Sequence, residues 1–256
     1  MMKIILSWIS LFWVFAMWTT IVYGMPSFED ALLSIDKGQI QQALEIAYQL
    51  EMNEDYENAL TILDVLLEKY SHNRERVNIM IEKAAIYEKQ RIFEEAIDQY
   101  RTITDLDPST YEDHPYFSYA DFSRLRIDYL TSEPTWSRPS REELLSELTC
   151  AFSFRNLEHV SSLLKKGDCY IGSMYSEPFL TDPESLFLYL KSSFNNSNWK
   201  VNKPVEIWEN QWAIEITNWT DSHWPDHDLL YLIVKVGLFG WEWGEIIFSK
   251  SVWNGE

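Results

Sequence analysis

The first apolar stretch of the chain has the pattern of an export signal. Residues 1 to 27 read MMKIILSWISLFWVFAMWTTIVYGMPS, with Lys3 near the start and no further charged residue before Glu29. A cationic start followed by an apolar run is typical of signal peptides, and we predict cleavage after Gly24, so that residues 1–24 are removed. The alternative is an uncleaved anchor, because Ile4 to Val22 nearly reaches the length of a membrane-spanning helix. In both cases Lys3 favours a cytoplasmic N-terminus, and the rest of the chain is periplasmic, secreted or membrane-anchored.

Residues 25–131 have the hydrophobic pattern of successive helices. Apolar positions recur three and four residues apart in QALEIAYQLEM, YENALTILDVLLEKY, VNIMIEKAAIYEKQ and FEEAIDQYRTITDL. This period places the apolar side chains on one face of each helix. Short polar breaks between the segments predict antiparallel helix pairs, and we expect further helices at 27–36 and 114–130 to cap them.

The helical region also contains an internal repeat. A shift of 37 residues aligns Tyr56 with Phe93, Ala59 with Ala96 and Leu63 with Tyr100. With Ala84 and Tyr87 before the second match, residues 40–108 resemble the tetratricopeptide repeat (TPR) family. Members of the family have small residues where two helices cross and large rings where the next helix packs.

This resemblance implies a peptide-binding groove on the face formed by the first helix of each repeat. By position, the groove residues are Gln41, Leu44, Tyr48, Glu51, Asn78, Ile81, Ala85 and Glu88. A subset of the family binds a terminal carboxylate with Lys, Arg and Asn at such places, whereas Glu51 and Glu88 occupy them here. The resemblance therefore implies a basic or neutral protein or peptide partner. The alternative is that the repeats only support the second domain.

The C-terminal part has a different composition and predicts an α+β domain. The stretch TSEPTWSRPS leads into it, and we expect residues 132–140 to be a linker and 141–256 a second domain. Helices are predicted at 142–154, 157–164 and 183–194, with a short strand at 169–172. KPVEIWEN, QWAIEITNW, LLYLIVKVGLF and WEWGEIIFSKSVW then have the composition of strands. Helices followed by strands predict helices packed on one face of a curved antiparallel sheet.

The element order of residues 141–252 is similar to the cone fold of nuclear-transport-factor-like and ketosteroid-isomerase-like proteins. That similarity implies a pocket on the sheet, with candidate lining residues Tyr170, Trp208, Trp212, Tyr231, Trp241 and Trp243. The alternative is that these rings form the core. The same similarity implies Asp168 and Glu215 as pocket acids, with pKa values raised by apolar surroundings, and the alternative is that each carboxylate is solvated or paired.

Charge and missing motifs restrict the chemistry. The chain has 40 Asp and Glu against 21 Lys and Arg, a formal charge of −19 that argues against nucleic-acid binding. No nucleophile elbow, phosphate loop or dinucleotide turn is present, so we predict no catalytic residues and no cofactor. The weak metal candidate is the pair His223 and His227, between which Pro225 prevents a helix.

The two cysteines, Cys150 and Cys169, could form a disulfide in an oxidising compartment or remain buried thiols.

Together these patterns predict an exported, acidic, non-enzymatic protein–protein interaction or scaffold protein. Contact with a membrane is expected only if the leader stays uncleaved, and the pattern specifies no oligomeric state. The alternative is a small-ligand-binding or weakly enzymatic protein that uses a pocket in the C-terminal domain.

Overall fold

The computed structural model describes residues 27–70, 75–106, 118–174, 176–194, 198–220 and 226–250. The predicted cleavage site at Gly24 and the alternative anchor lie outside them. No helix within these ranges is long and apolar enough to cross a membrane. The chain divides into two compact units, residues 1–86 and residues 87–256.

Unit 1 consists of helices, as predicted. They are α1 (Phe28–Asp36), α2 (Ile40–Met52), α3 (Tyr56–Lys69) and the first part of α4 (Arg76–Lys89). Ser27 and Asp30 form a capping box at the start of α1, and the Asp55 side chain accepts from the Asn58 amide at the start of α3. The core contains Ala43, Ala47, Ala59, Ile62 and Leu63. These alanines allow α2 and α3 to approach closely, so the small positions of the repeat pattern serve helix packing.

Unit 2 begins with the end of α4, and its described residues form five further helices. They are α5 (Phe93–Thr104), α6 (Tyr119–Thr131), α7 (Arg141–Ser153), α8 (Leu157–Leu163) and α9 (Pro183–Ser193). Each of α6 to α9 is capped at its N-terminus by a side-chain oxygen of the residue that precedes it. These N-cap residues are Ser118, Ser140, Asn156 and Asp182. Such caps satisfy backbone amides that have no partner within the helix.

The residues of unit 2 that the structure describes also form a sheet of seven strands. They are β1 (Cys169–Ser173), β2 (Ser176–Thr181), β3 (Lys200–Val201), β4 (Val205–Trp208), β5 (Gln211–Thr217), β6 (Leu229–Gly237) and β7 (Gly240–Ser249). Their order is β2-β1-β7-β6-β5-β3, and β4 pairs with the same edge of β5 as β3. The α+β class is confirmed.

The expectation of a purely antiparallel sheet is wrong at one pair. β1 runs parallel to β7, with Ile171 opposite Ile246, so the sheet is mixed. The sequence pattern also did not predict β2, which pairs with β1. The period of apolar residues predicts which residues form strands. Whether two strands pair in a parallel or an antiparallel direction depends on the connection between them.

The main core of unit 2 lies between the sheet and its helices. Along β6, Leu230, Leu232 and Val234 alternate onto the covered face, as the two-residue period of a strand requires. Three fully or nearly buried tryptophans complete this core, namely Trp199, Trp219 and Trp243. Trp243 packs edge-on against Phe152 of α7, with ring centroids 5.8 Å apart.

The compact units divide at 86/87 and not at the predicted linker. Residues 132–140 lie inside unit 2, where Trp136 is only 1% exposed. The Arg138 amide donates to the Trp241 carbonyl at 3.0 Å, and the Trp241 amide donates back at 2.8 Å. Proline and serine predict a loop here, but they do not indicate that its tryptophan is buried or that Arg138 pairs with a strand.

Candidate functional site

A groove in unit 1 contains several of the residues predicted to bind a partner. It has a volume of about 330 Å³ and is lined by α2, by α4 and by one residue of α3. Its lining residues are Gln41, Leu44, Glu45, Ala47, Tyr48, Glu51, Leu63, Asn78, Glu82 and Ile86. We call this surface the helical groove.

The α2 side of the helical groove agrees with the prediction. Gln41, Leu44, Tyr48 and Glu51 recur at three- and four-residue spacing, so they share one face of the helix. Neighbouring positions such as Ile46 turn into the core. Tyr48 is 49% exposed and therefore presents much of its side chain to solvent.

On the α4 side, only one of the four predicted residues lines the groove, and two others are replaced by the residue that follows them in the sequence. Asn78 lines the groove as expected, but Glu82 and Ile86 follow it, in place of Ile81 and Ala85. Ile79 and Ile86 are buried in the unit 1 core, and this sets the rotation of the helix. Because α4 carries apolar residues on several sides, its sequence alone did not reveal which stripe would be buried.

Glu88 is not a groove residue, which corrects the prediction. It belongs to unit 2, is buried, and forms an ion pair with Arg126 of α6. The Tyr100 hydroxyl also donates to Glu88 Oε1 at 2.8 Å. The carboxylate therefore contributes to the interior of unit 2.

The helical groove has a negative lining. Glu45 and Glu82 are exposed, Glu51 is only 4% exposed, and the described lining residues include no lysine or arginine. The neighbouring cation on α4, Lys83, pairs with Asp64 of α3. Such a lining attracts cationic groups and disfavours a terminal carboxylate.

Unit 2 contains a buried charge cluster that the sequence analysis did not identify. Arg126 Nη1 lies 2.8 Å from Asp168 Oδ1, and Arg126 also pairs with Glu88. Lys165 Nζ lies 3.1 Å from the same Asp168 oxygen. Burial alone would raise the pKa of Asp168, but Lys165 and Arg126 hold it below its ordinary value of 3.8. The expectation of a raised pKa at Asp168 is therefore wrong.

A tyrosine extends this cluster to β7. The guanidinium of Arg126 lies over the Tyr129 ring, 4.4 Å from its centroid. The Tyr129 hydroxyl donates to Glu242 Oε1 at 2.6 Å and accepts from the Leu238 amide at 3.1 Å. Burial raises the pKa of both Tyr129 and Glu242. Because these charges and polar groups satisfy each other, the cluster has the character of a structural network.

The other predicted pocket acid has a different environment. Glu215 on β5 accepts hydrogen bonds from Asn202 Nδ2 at 2.7 Å and from the Tyr231 hydroxyl at 2.9 Å. Tyr231 lies directly opposite Glu215 on β6, on the face turned away from Leu230 and Leu232. Glu215 is thus part of a cross-strand polar group.

The structure does not bring the predicted pocket aromatics together. Trp243 is buried against the helices, and Trp212 and Trp241 pack beside that core. Tyr170 and Tyr231 point to the opposite face by strand alternation. Trp208, on the edge strand β4, is 60% exposed. Successive residues of a strand point to opposite faces of the sheet. Because the six candidate rings are divided between the two faces, they cannot all line one pocket.

The predicted disulfide is not formed. Cys150 is exposed on α7, and Cys169 is buried in β1, with both thiols free. Burial raises the pKa of Cys169 to about 12. Proximity in sequence suggested the pair, but the helix turns Cys150 away from the core that holds Cys169.

The metal candidate is only half described. His223 lies outside the described residues, and His227 lies in the turn before β6, half-buried. Within the described ranges, no group of three or more His, Cys, Asp or Glu side chains is arranged to hold a metal ion.

Comparisons with known proteins add little to this geometry. No family model matches the chain, and no curated protein matches it. Among solved structures, the chain is similar to a domain of unknown function with a cystatin-like fold from Nostoc punctiforme PCC 73102. That match has 10% identity and a TM-score of 0.28, and it covers 43% of this chain and 75% of the other.

Proposed function

We propose that this protein is an exported, non-enzymatic interaction protein whose helical groove binds a basic or neutral segment of a partner protein. The observation that carries the proposal is the lining of the groove. An exposed tyrosine, Tyr48, lines the same groove as the exposed carboxylates of Glu45 and Glu82, which lie on two helices. A basic side chain there would meet negative charge and an aromatic face, and a cation–π contact contributes about 0.5–1 kcal/mol at an exposed site.

We further propose that unit 1 and the start of unit 2 are TPR-like. The support is the helix pairing of α2 with α3 and of α5 with α6, together with alanines such as Ala59 and Ala96 at buried positions. In such repeats the first helices form the recognition face. The lining of the helical groove by α2 and α4 agrees with that role.

For residues 141–252 we propose the cone-like arrangement of helices on a sheet. The support is the order of α7, α8, β1 and α9 before the long strands β5 to β7. A small-ligand pocket at this sheet has less support, because Trp199, Trp219 and Trp243 fill the space beneath the helices.

Fluorescence anisotropy with labelled ten-residue peptides tests the groove. The full chain, in a mild detergent, is titrated with a lysine-rich, a serine- and asparagine-rich and a glutamate-rich peptide. We expect the lysine-rich peptide to bind most tightly. Tyr48→Ala and Glu45→Gln should each weaken its binding by about tenfold, the loss of a typical hot-spot contact.

Two matched variants control for changes outside the groove. Met52→Ala removes an exposed side chain from the same helix, and Glu57→Gln removes an exposed carboxylate from α3. Neither should change the affinity. Equal binding of the glutamate-rich peptide, or an unchanged affinity of Tyr48→Ala, would contradict the proposal.

Export is tested separately at the N-terminus. N-terminal sequencing of the protein purified from its own cells should give a chain that starts at Met25, as cleavage after Gly24 requires. An intact Met1 in the membrane fraction would instead indicate the anchor, and an intact Met1 in the cytosol would contradict export.

A further inference from the structure

The turn between β6 and β7 is held against two helices of unit 2. The turn residues are Leu238 and Phe239. The Leu238 amide donates to the Tyr129 hydroxyl of α6 at 3.1 Å. The Phe239 ring packs against the rings of Tyr129 and of Phe93 on α5, with centroid distances of 5.1 Å and 5.9 Å. We call this set of interactions the turn contact.

A buried carboxyl group takes part in the turn contact. Glu242 Oε1 accepts from the Tyr129 hydroxyl at 2.6 Å and from the Phe239 amide at 3.4 Å. Glu242 is 3% exposed and Tyr129 is 1% exposed. A Cβ at Gly237 would lie 2.3 Å from this carboxyl group, so the backbone beside the turn approaches it closely. Full hydration of the carboxyl group therefore requires these groups to separate.

The charges around Glu242 are not balanced. Two further carboxylates are buried in the same cluster, those of Glu88 and Asp168. Arg126 pairs with both of them, and Lys165 pairs with Asp168. Among the described residues neither cation forms an ion pair with Glu242, so three ionised carboxylates would face two cations. A proton on Glu242 makes the cluster neutral and avoids a buried charge without a partner.

The other charged groups near the turn interact elsewhere. Lys235 lies directly opposite Glu242 on β6, but its Nζ lies 3.4 Å from Glu245 Oε2. Arg91 is exposed, and its guanidinium donates to the Leu238 carbonyl at 3.2 Å. The buried carboxyl group of Glu242 therefore keeps neutral hydrogen-bond donors as its immediate partners.

We propose that Glu242 and the turn contact form a pH-sensitive latch. While Glu242 holds its proton, the turn stays docked on α5 and α6, and loss of the proton favours release of the turn. In the released state the carboxylate is hydrated like that of an exposed glutamate. The latch thus controls how firmly these two helices are joined to the sheet of unit 2.

The direction of the response follows from the burial of Glu242. Burial raises the pKa of this residue above its ordinary value of 4.5, although the Tyr129 hydrogen bond and Lys165 oppose this. The docked state therefore binds the proton more tightly than the released state. As the pH rises above 4.5, the ratio of released to docked turn should increase by up to about tenfold per pH unit, until the docked carboxyl group also loses its proton.

Hydrogen–deuterium exchange, resolved to single amides by mass spectrometry, tests the latch in the full chain in a mild detergent. The reporter is the Leu238 amide, and the reference is the Leu232 amide in the middle of β6. Protection factors are corrected for the intrinsic pH dependence of exchange. We expect the protection of Leu238 to fall as the pH rises from 4.5 to 7, and that of Leu232 to change much less, because a local opening leaves the sheet intact.

Two variants assign the response to the latch. Glu242→Gln keeps the shape of the side chain but does not titrate, so the protection of Leu238 should no longer depend on pH. Tyr129→Phe removes the acceptor of the Leu238 amide and should lower its protection about fivefold at every pH, the loss of one hydrogen bond. Glu94→Gln, which removes an exposed carboxylate from α5, is the matched control and should leave the pH dependence unchanged.

Four results would overturn the proposal. The first is a wild-type protection of Leu238 that does not fall as the pH rises. The second is a fall that persists in Glu242→Gln, because another group would then titrate. The third is an equal fall at Leu232, which would mean that the sheet unfolds as a whole. The fourth is an unchanged protection of Leu238 in Tyr129→Phe, because the hydroxyl would then not hold the turn.

Discussion

Arg126 on α6 and Asp168 at the start of β1 are 42 positions apart in sequence, yet Nη1 of the arginine lies 2.8 Å from Oδ1 of the aspartate. Both side chains are largely buried. The same guanidinium pairs with Glu88, so one arginine compensates two buried carboxylates. This arrangement makes Arg126 a central residue for the stability of unit 2.

We predict that Arg126→Leu destabilises unit 2 severely. The substitution leaves Glu88 and Asp168 buried with less compensation, and breaking a buried pair in this way typically costs about 3–5 kcal/mol. Urea unfolding followed by tryptophan fluorescence measures the loss. Arg124→Leu is the control, because Arg124 on the same helix forms an exposed pair with Asp121 that contributes about 1 kcal/mol or less. Equal effects of the two substitutions would show that the cluster is not important for stability.

We predict that the stability of the Glu242→Gln variant, relative to that of the wild type, increases as the pH rises. Burial raises the pKa of Glu242 above its ordinary value of 4.5, although the Tyr129 hydrogen bond and Lys165 oppose this. The folded state therefore binds this proton more tightly than the unfolded state, so the contribution of Glu242 to the free energy of unfolding falls as the pH rises above 4.5. The difference, variant minus wild type, should grow between pH 4 and pH 7 in urea titrations. A constant difference would contradict it.

Asp168→Asn should show the opposite pH dependence. Lys165 and Arg126 lower the pKa of Asp168 despite its burial, so the carboxylate contributes stability above pH 3.8 that is lost as the pH falls below that value. The variant should therefore be less stable than wild type at pH 7, and the difference should shrink below pH 3.8. A deficit that persists unchanged at pH 3 would indicate a loss of packing and not of charge pairing.

We predict that Trp243 and Trp208, both candidate pocket residues by sequence, differ greatly in their contribution to stability. Trp243→Ala leaves a cavity in the core and should cost about 3–5 kcal/mol. Trp208→Ala removes an exposed ring and should change the free energy of unfolding by about 0.5 kcal/mol or less. Chemical denaturation of the two variants provides the comparison, and similar losses would mean that Trp208 is also packed.

The cysteines should react at very different rates. Cys150 is exposed, whereas Cys169 is buried and burial raises its pKa to about 12, which suppresses the reactive thiolate. N-ethylmaleimide added to the native protein should modify Cys150 alone, and Cys169 should react only after unfolding, as measured by peptide mass spectrometry. A bridged peptide under non-reducing conditions would show that a disulfide forms after all.

Much of the local structure could be predicted from the sequence. The helix period, the short polar breaks and the alanine spacing located α1, α2, α3 and α5 closely, because these signals act within a few residues of the chain. The α2 side of the helical groove followed from the same period. The α4 side did not, since Ile79, Ile81 and Ile86 compete for the core and only packing against α2 and α3 decides among them.

The sequence by itself determined the α+β class, the positions of most helices and strands and the strong negative charge, all of which depend on composition and short-range periodicity. Tertiary structure decided the parallel pairing of β1 with β7, the burial of Glu88 against Arg126 and the separation of Trp243 from Trp208. Each of these depends on residues far apart in the chain meeting at one place, and on which face of a strand or helix loses contact with water. Local sequence patterns do not predict these long-range contacts, because the free energy that favours one set of contacts over another arises only when the elements pack.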